Sequence, residues 1–204
     1  GAGLAGFCYG FTGLADKGLG FRDPRNLRFY SQFTGVRPGF RAYGLGVLMK
    51  EFQREIVLER LGIGTIICTY DPLTGVNAFR NVHRFGMEVL EYRVATYGEY
   101  GGLLNRSDVA SDRFLMSWDL TREGRRAETP PLAGAAQVLR VEGRRVRGRT
   151  SALELEVVRD SDPAVEGAVL LLRIPLDFYR MLRETDVDDP EVRRIPLDWR
   201  DHTR

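Results

Sequence analysis

The sequence predicts an α/β (α+β) fold with a strand-rich C-terminal extension. Three features carry that prediction: strand-like and helix-like runs alternate from Leu4 to Leu120, one long run has clear helical spacing, and the texture changes to short strands and turns beyond Leu120. The expected organisation is a core over residues 1–120, a linker over 121–136 and the extension over 137–204.

Taken in order, LAGFCYGF (Leu4 to Phe11) reads as a strand, and GLADKGLGFRDPRN is a loop punctuated by glycine and proline. LRFYSQFTGV (Leu27 to Val36) alternates and is aromatic; Pro38 stops it because proline has no N–H to give to a ladder. From Tyr43 to Leu61, Val47, Leu48, Phe52, Ile56, Val57 and Leu61 recur at helical spacing, with Lys50, Glu51, Arg54, Glu55 and Glu59 on the other face. Gly62 ends that helix, and IGTIICTY (Ile63 to Tyr70) is β-branched and apolar, as in a strand buried on both faces. DPLTG turns the chain into a short helix, VNAFRNVHRFG, closed by Gly86, and MEVLEYRVATYG and RFLMSWDL return as strands. LTREGRRAETPPLAGAA reads as the linker. AQVLRVEG, TSALELEVVRD and GAVLLLRIP are the strands of the extension, and LDFYRMLRET is its helix.

With 43% hydrophobic and 28% charged residues in 204, a sizeable core is available, and a formal charge of +2 gives no field that demands nucleic acid or anionic membrane. The cluster RVEGRRVRGR lacks the interleaved aromatics that stack bases and reads as the solvated face of a hairpin. Cys8 and Cys68 lie in apolar runs without paired spacing, which fits buried thiols in a reducing compartment, so a cytoplasmic location is expected. No apolar run reaches the roughly 20 residues that span a bilayer, and two histidines and two scattered cysteines assemble no metal site. The chain enters a strand just after Gly1 and ends on WRDHTR without a stop signal, so further sequence at both ends is expected.

The stretch VRPGFRAYGLG places Arg41, Gly44 and Gly46 where a strand hands over to a helix. A helix N-terminus offers unpaired amides and the positive end of a dipole to an anion, and glycines let the backbone come close. A Walker loop needs GK[ST], but Val47 and Leu48 follow Gly46; a dinucleotide fingerprint needs a third glycine where Met49 stands. The remaining phosphate loop is a coenzyme A pyrophosphate cradle. VRPGFRAYGLGVLM resembles the signature motif of the GNAT superfamily of acyl-CoA-dependent N-acyltransferases, and IICTYDPL with the short helix ending at Gly86 is similar to that superfamily's order of elements. TYDPLTGVNAFRNVHRFG and SDRFLMSW resemble a branch described as predicted acetyltransferases. The likeness covers about Leu4 to Leu120.

The resemblance implies a mixed, mostly antiparallel sheet flanked by helices, with the superfamily's first strand and two helices missing from the start. It implies that amides of Arg41, Ala42, Tyr43, Gly44, Leu45 and Gly46 bind the pyrophosphate, and that Thr34, Gly35 and Val36 hold the pantetheine arm as an added strand. Asn77 and Asn81 are candidate ligands for its amides, against a reading in which they satisfy their own helix. The superfamily's tyrosine acid, four residues before the glycine, is replaced here by Val82; His83, adjacent, is a candidate catalytic group, against a reading as a surface or satisfied histidine. Tyr70 and Asp71 are candidates to accept the amine proton, Asp71 having a turn-forming alternative before Pro72. Asp112 and Arg113 are expected to pair with each other, against a reading in which they bind the charged groups of an amino acid acceptor, and Tyr97 and Tyr100 are left as turn tyrosines. The expected reaction is direct attack by the amine of a small molecule, such as an amino acid, on acetyl-CoA or another acyl-CoA such as succinyl-CoA. A homodimer is compatible with this. A non-catalytic acyl-CoA-binding or assembly module is the alternative, kept open by Val82.

Overall fold

The computed structural model describes residues 3–98, 101–102, 105–122 and 129–204. The chain forms two compact units: Gly1–Tyr70 with Phe79–Tyr92 and Phe114–Ala127, and Asp71–Ala78 with Arg93–Arg113 and Glu128–Arg204. A single break at 121–136 is therefore not what divides it. Leu73 and Val109 belong to the apolar core of the second unit, and burial of such side chains decides which unit their segments join. Tyr100 and residues 123–128 of the expected linker lie outside the described residues.

The first unit is built on a five-stranded sheet in the order β1-β2-β3-β5-β4: β1 Gly6–Leu14, β2 Leu27–Val36, β3 Thr65–Tyr70, β4 Glu88–Arg93 and β5 Arg113–Asp119. β1 and β2 are antiparallel, β2 and β3 parallel, and β3 and β5 antiparallel from Thr65↔Asp119 to Tyr70↔Phe114. The sheet is thus mixed and mostly antiparallel, as expected. The single parallel step spans a helical crossover, α1 Leu45–Glu55, which runs into a π-type turn over Ile56–Arg60. Ile66, Met116 and Leu120 are fully buried in this unit. Phe7, Tyr9 and Phe33 gather on one face of the sheet, with the Phe7 and Phe33 rings 5.3 Å apart, and stay exposed.

The helix forms where its periodicity predicts, but the face it buries is corrected by the structure. Lys50, Gln53 and Val57 are buried while Leu48 and Phe52 are exposed. Residues 46, 50, 53 and 57 follow helical spacing as well as the apolar set does, and the sheet takes that side.

The second unit holds α2 Gly75–Ala78, a short parallel pair of β6 Ala136–Gln137 with β9 Leu170–Leu171, and a long hairpin of β7 Leu139–Arg147 with β8 Ala152–Ser161. α3 Phe178–Glu184 and α4 Pro190–Asp201 complete it. Asp177 and Asp189 cap these helices through their carboxylates, and Pro190 occupies the first helical position of α4, where its missing N–H costs nothing. Phe178, Leu182, Ile195 and Trp199 pack against Leu139, Val146 and Leu153 of the hairpin. Of the strand expected over GAVLLLRIP, two residues pair. Two arginines of the basic cluster lie on β7 opposite acidic β8 residues, Arg140 facing Asp160 and Arg145 facing Glu154, and Glu142 is bridged by Arg159 at 2.9 Å.

Candidate functional site

β2 and β3 are in register at Phe29↔Ile66 and Tyr30↔Ile67, and no further pair joins them among the described residues. The cause lies on the other side of β2. Its pairing with β1 skips from Ser31↔Gly10 to Phe33↔Tyr9, so Gln32 is an extra residue, and such a bulge bends and twists its strand. β3 meanwhile stays paired with β5 along its whole length. The two parallel strands splay from Ser31 onward. Thr34, Gly35 and Val36 remain paired with Cys8, Phe7 and Gly6 on their β1 side. Arg37 gives its N–H to Ala5 O at 2.8 Å, so by strand alternation the Val36 amide turns towards the splay.

The chain leaves this open edge through a 3-10 turn over Pro38–Tyr43 and reaches α1 at Gly44, whose φ of 69° is left-handed and suits glycine. Val47 and Leu48 N–H both bond the Gly44 carbonyl, at 2.9 and 3.2 Å. The amides of Leu45 and Gly46 precede that ladder, where a helix leaves its donors unsatisfied. Arg41 is exposed and turns its Nε to Val36 O at 3.3 Å. Gly46 has a different reason from Gly44: its φ is not positive, but a Cβ there would stand 3.2 Å from Nη1 of Arg80. Arg80, on the π-type turn Phe79–Arg84, is thus brought against the start of α1. Sequence reasoning missed it, because it belongs to no motif and lies 34 positions from Gly46 (80 − 46).

Below Gly46 on the same face, Lys50 is 5% exposed and gives its ammonium to Ser31 Oγ at 2.6 Å and Gln53 Oε1 at 3.3 Å. Burial lowers its pKa from 10.5, and the positive charge of Arg80 adds to that, partly offset by Cys68 and Cys8. The Cys68 thiol is pushed up by the same burial. A lysine whose folded pKa is lowered binds its proton more weakly than in the unfolded chain, so its penalty is full below the folded value and vanishes above 10.5. Wild-type stability is therefore expected to rise relative to a Lys50→Met variant as pH climbs through that window. Urea unfolding of both proteins at a series of alkaline pH values checks this; parallel curves would show that Lys50 is not desolvated.

Tyr70 is buried against Phe114, ring centroids 5.7 Å apart, and its phenol is pushed up to about 12 by burial and, secondarily, by Cys68. It therefore keeps its proton at neutral pH. His83 packs against Phe79, the rings tilted by 38° with centroids 4.8 Å apart. Asn81 is 3% exposed, and its Oδ1 has no protein partner among the described residues. Asn77, in the second unit, gives Nδ2 to Thr74 Oγ1 at 3.1 Å.

Asp71, also in the second unit, is corrected as a candidate base. Its Oδ1 accepts from Leu73 N and Arg200 Nη1, both at 3.0 Å, and its Oδ2 from Arg200 Nη2 at 2.6 Å and Arg113 Nη1 at 3.2 Å. The turn reading holds, and the carboxylate is committed to two guanidiniums. The expected Asp112–Arg113 ion pair is corrected too. Arg113 bonds Asp112 through its main-chain oxygen at 2.7 Å, and the Asp112 carboxylate takes Arg204 at 2.8 and 3.1 Å. Arg113 also stands 5.3 Å over the Tyr97 ring. Among the described residues no helix is long and apolar enough to cross a membrane, and no group of three or more His, Cys, Asp or Glu is placed to hold a metal ion.

No family model and no curated protein matches the sequence. Similar solved structures include Chaetomium thermophilum Naa20 in complex with a bisubstrate analogue, at 17% identity and a TM-score of 0.43 over 61% of this chain and 66% of that one. Nourseothricin acetyltransferase is 19% identical with a TM-score of 0.40, over 57% of this chain and 58% of that one. Arabidopsis thaliana Naa50 in complex with the bisubstrate analogue CoA-Ac-MVNAL is 14% identical with a TM-score of 0.39, over 55% and 64%. The chain spans less than two thirds of the length of each. These are similarities of partial fold.

Proposed function

We propose that the first unit is a GNAT-type acyl-CoA site and that the protein transfers an acyl group, by default acetyl, to an amine. The observation that carries this reading is the splay of β2 from β3, which opens the Thr34–Val36 edge beside the glycine-led start of α1. An extended arm with alternating amides fits such an edge as an added strand, and its phosphates fall at the helix N-terminus.

In this reading the amine attacks the thioester carbonyl directly. The Val36 N–H takes up the developing oxyanion, and the carbon–sulfur bond breaks to release the thiolate. The nitrogen sheds one proton as the amide forms and the thiolate takes one up; Tyr70, protonated at neutral pH, relays it by donating to the sulfur and regaining a proton from the nitrogen through solvent. The buried Asn81 Oδ1 accepts from an amide of the arm. The amine reaches the carbonyl uncharged, having lost its proton to solvent, since Asp71 is bound by Arg113 and Arg200. A small amine such as an amino acid is the proposed acceptor.

Thermal melts with and without acetyl-CoA, succinyl-CoA and free CoA test the site. Ligand at about 100 times its Kd adds roughly 2.7 kcal/mol, a rise of about 5 to 10 °C for a chain of this size. No rise with any of the three would remove the acyl-CoA reading. Val82 favours a second reading, a binding module without turnover; a rise in melting temperature with no thiol release from acetyl-CoA across a panel of amines would establish it.

A further inference from the structure

We propose that Arg80 is the inner cationic arm of the phosphate cradle, reaching the diphosphate of the bound nucleotide from the helix opposite α1, and that Gly46 is glycine to make room for it. This rests on the acyl-CoA reading of the site and adds a ligand that the RxxGxG motif does not contain.

Gly44 and Gly46 do different work. Gly44 is needed for its left-handed backbone, whereas Gly46 has an ordinary φ and a Cβ position 3.2 Å from Arg80 Nη1. A methyl group there would press on the guanidinium. Arg41, the motif arginine, is exposed and engaged with Val36 O, so it serves the outer rim of the loop. Arg80 stands on the inner side.

The inner side of the loop carries positive charge. Gly46 and Lys50 are one helical turn apart on the buried face of α1, and the Lys50 ammonium bonds two neutral oxygens, of Ser31 and Gln53. Arg80 lies near enough to repel it. Two cations are thereby held beside the positive end of a helix dipole. A diphosphate at the amides of Leu45 and Gly46 would sit within the field of all three and accept a planar, two-pronged contact from Arg80.

Calorimetric titration of CoA, and of pantetheine as the same arm without phosphates, into wild type, Arg80→Gln and Arg80→Lys tests this. Arg80→Gln is expected to weaken CoA about 10- to 100-fold, the range for a lost charge-assisted bond, and to leave pantetheine within about two-fold. Arg80→Lys should recover part of the loss. Arg80→Gln binding CoA as tightly as wild type, or losing pantetheine equally, overturns the assignment while leaving the acyl-CoA site standing. Wild type binding no CoA overturns the site itself and this arm with it. Should Arg80→Gln lose the wild-type melt, Gly46→Ala carries the test: several-fold weaker CoA with pantetheine unchanged is expected, and unchanged CoA affinity overturns it.

Discussion

Replacing Asp71 with alanine is expected to lower the unfolding free energy by about 3 to 5 kcal/mol, the range for breaking a buried ion pair from one side. Arg200 is 1% exposed and gives both terminal nitrogens to this carboxylate, and Arg113 gives a third bond. Removing the acceptor leaves the Arg200 charge buried without its carboxylate. Asp71→Asn keeps the shape but not the charge and should fall between the two. Urea midpoints of the three proteins check this, with acetyl transfer measured alongside. Midpoints that barely move while turnover collapses would mean that Asp71 acts as a base after all.

Trp199→Ala is expected to cost a similar amount, about 3 to 5 kcal/mol for emptying a large core site. Trp199 is fully buried between α4 and the β7–β8 hairpin, and its indole N–H reaches Glu156 O at 2.9 Å. Truncation loses the packing and leaves that carbonyl without its donor. Trp199→Phe should cost less, about 1 to 2 kcal/mol, because most of the apolar volume is kept. Trp118 lies in the first unit, so unfolding of both variants is followed by far-ultraviolet circular dichroism, which also reports the second. A melt unchanged in Trp199→Ala would show that α4 is not packed as described.

The order of strands and helices in the first unit was legible in the sequence, because each element writes its period and its stop signals locally: the alternation of LRFYSQFTGV, the proline at 38, the glycines at 44, 62 and 86. So was the glycine-led start of α1, whose residues are neighbours in the chain. The two compact units were not legible as such, because Leu73 and Val109 are placed by burial in a core assembled from distant segments.

What the tertiary structure decided is which of several compatible local patterns is used, and which distant groups meet. The helix α1 presents two faces with helical spacing, and only the sheet beneath it selects Lys50 and Gln53 for burial over Leu48 and Phe52. Asp71 reads as a turn residue or a base from its neighbours; Arg113 and Arg200, 42 and 129 residues away, commit it to charge pairing. Arg80 reaches Gly46 because the fold sets the turn that follows β3 against the start of α1. Periodicity and turn chemistry act over a few residues and are written in the sequence. Charge pairing, close approach and the choice of buried face act through space, and the fold alone supplies the distances.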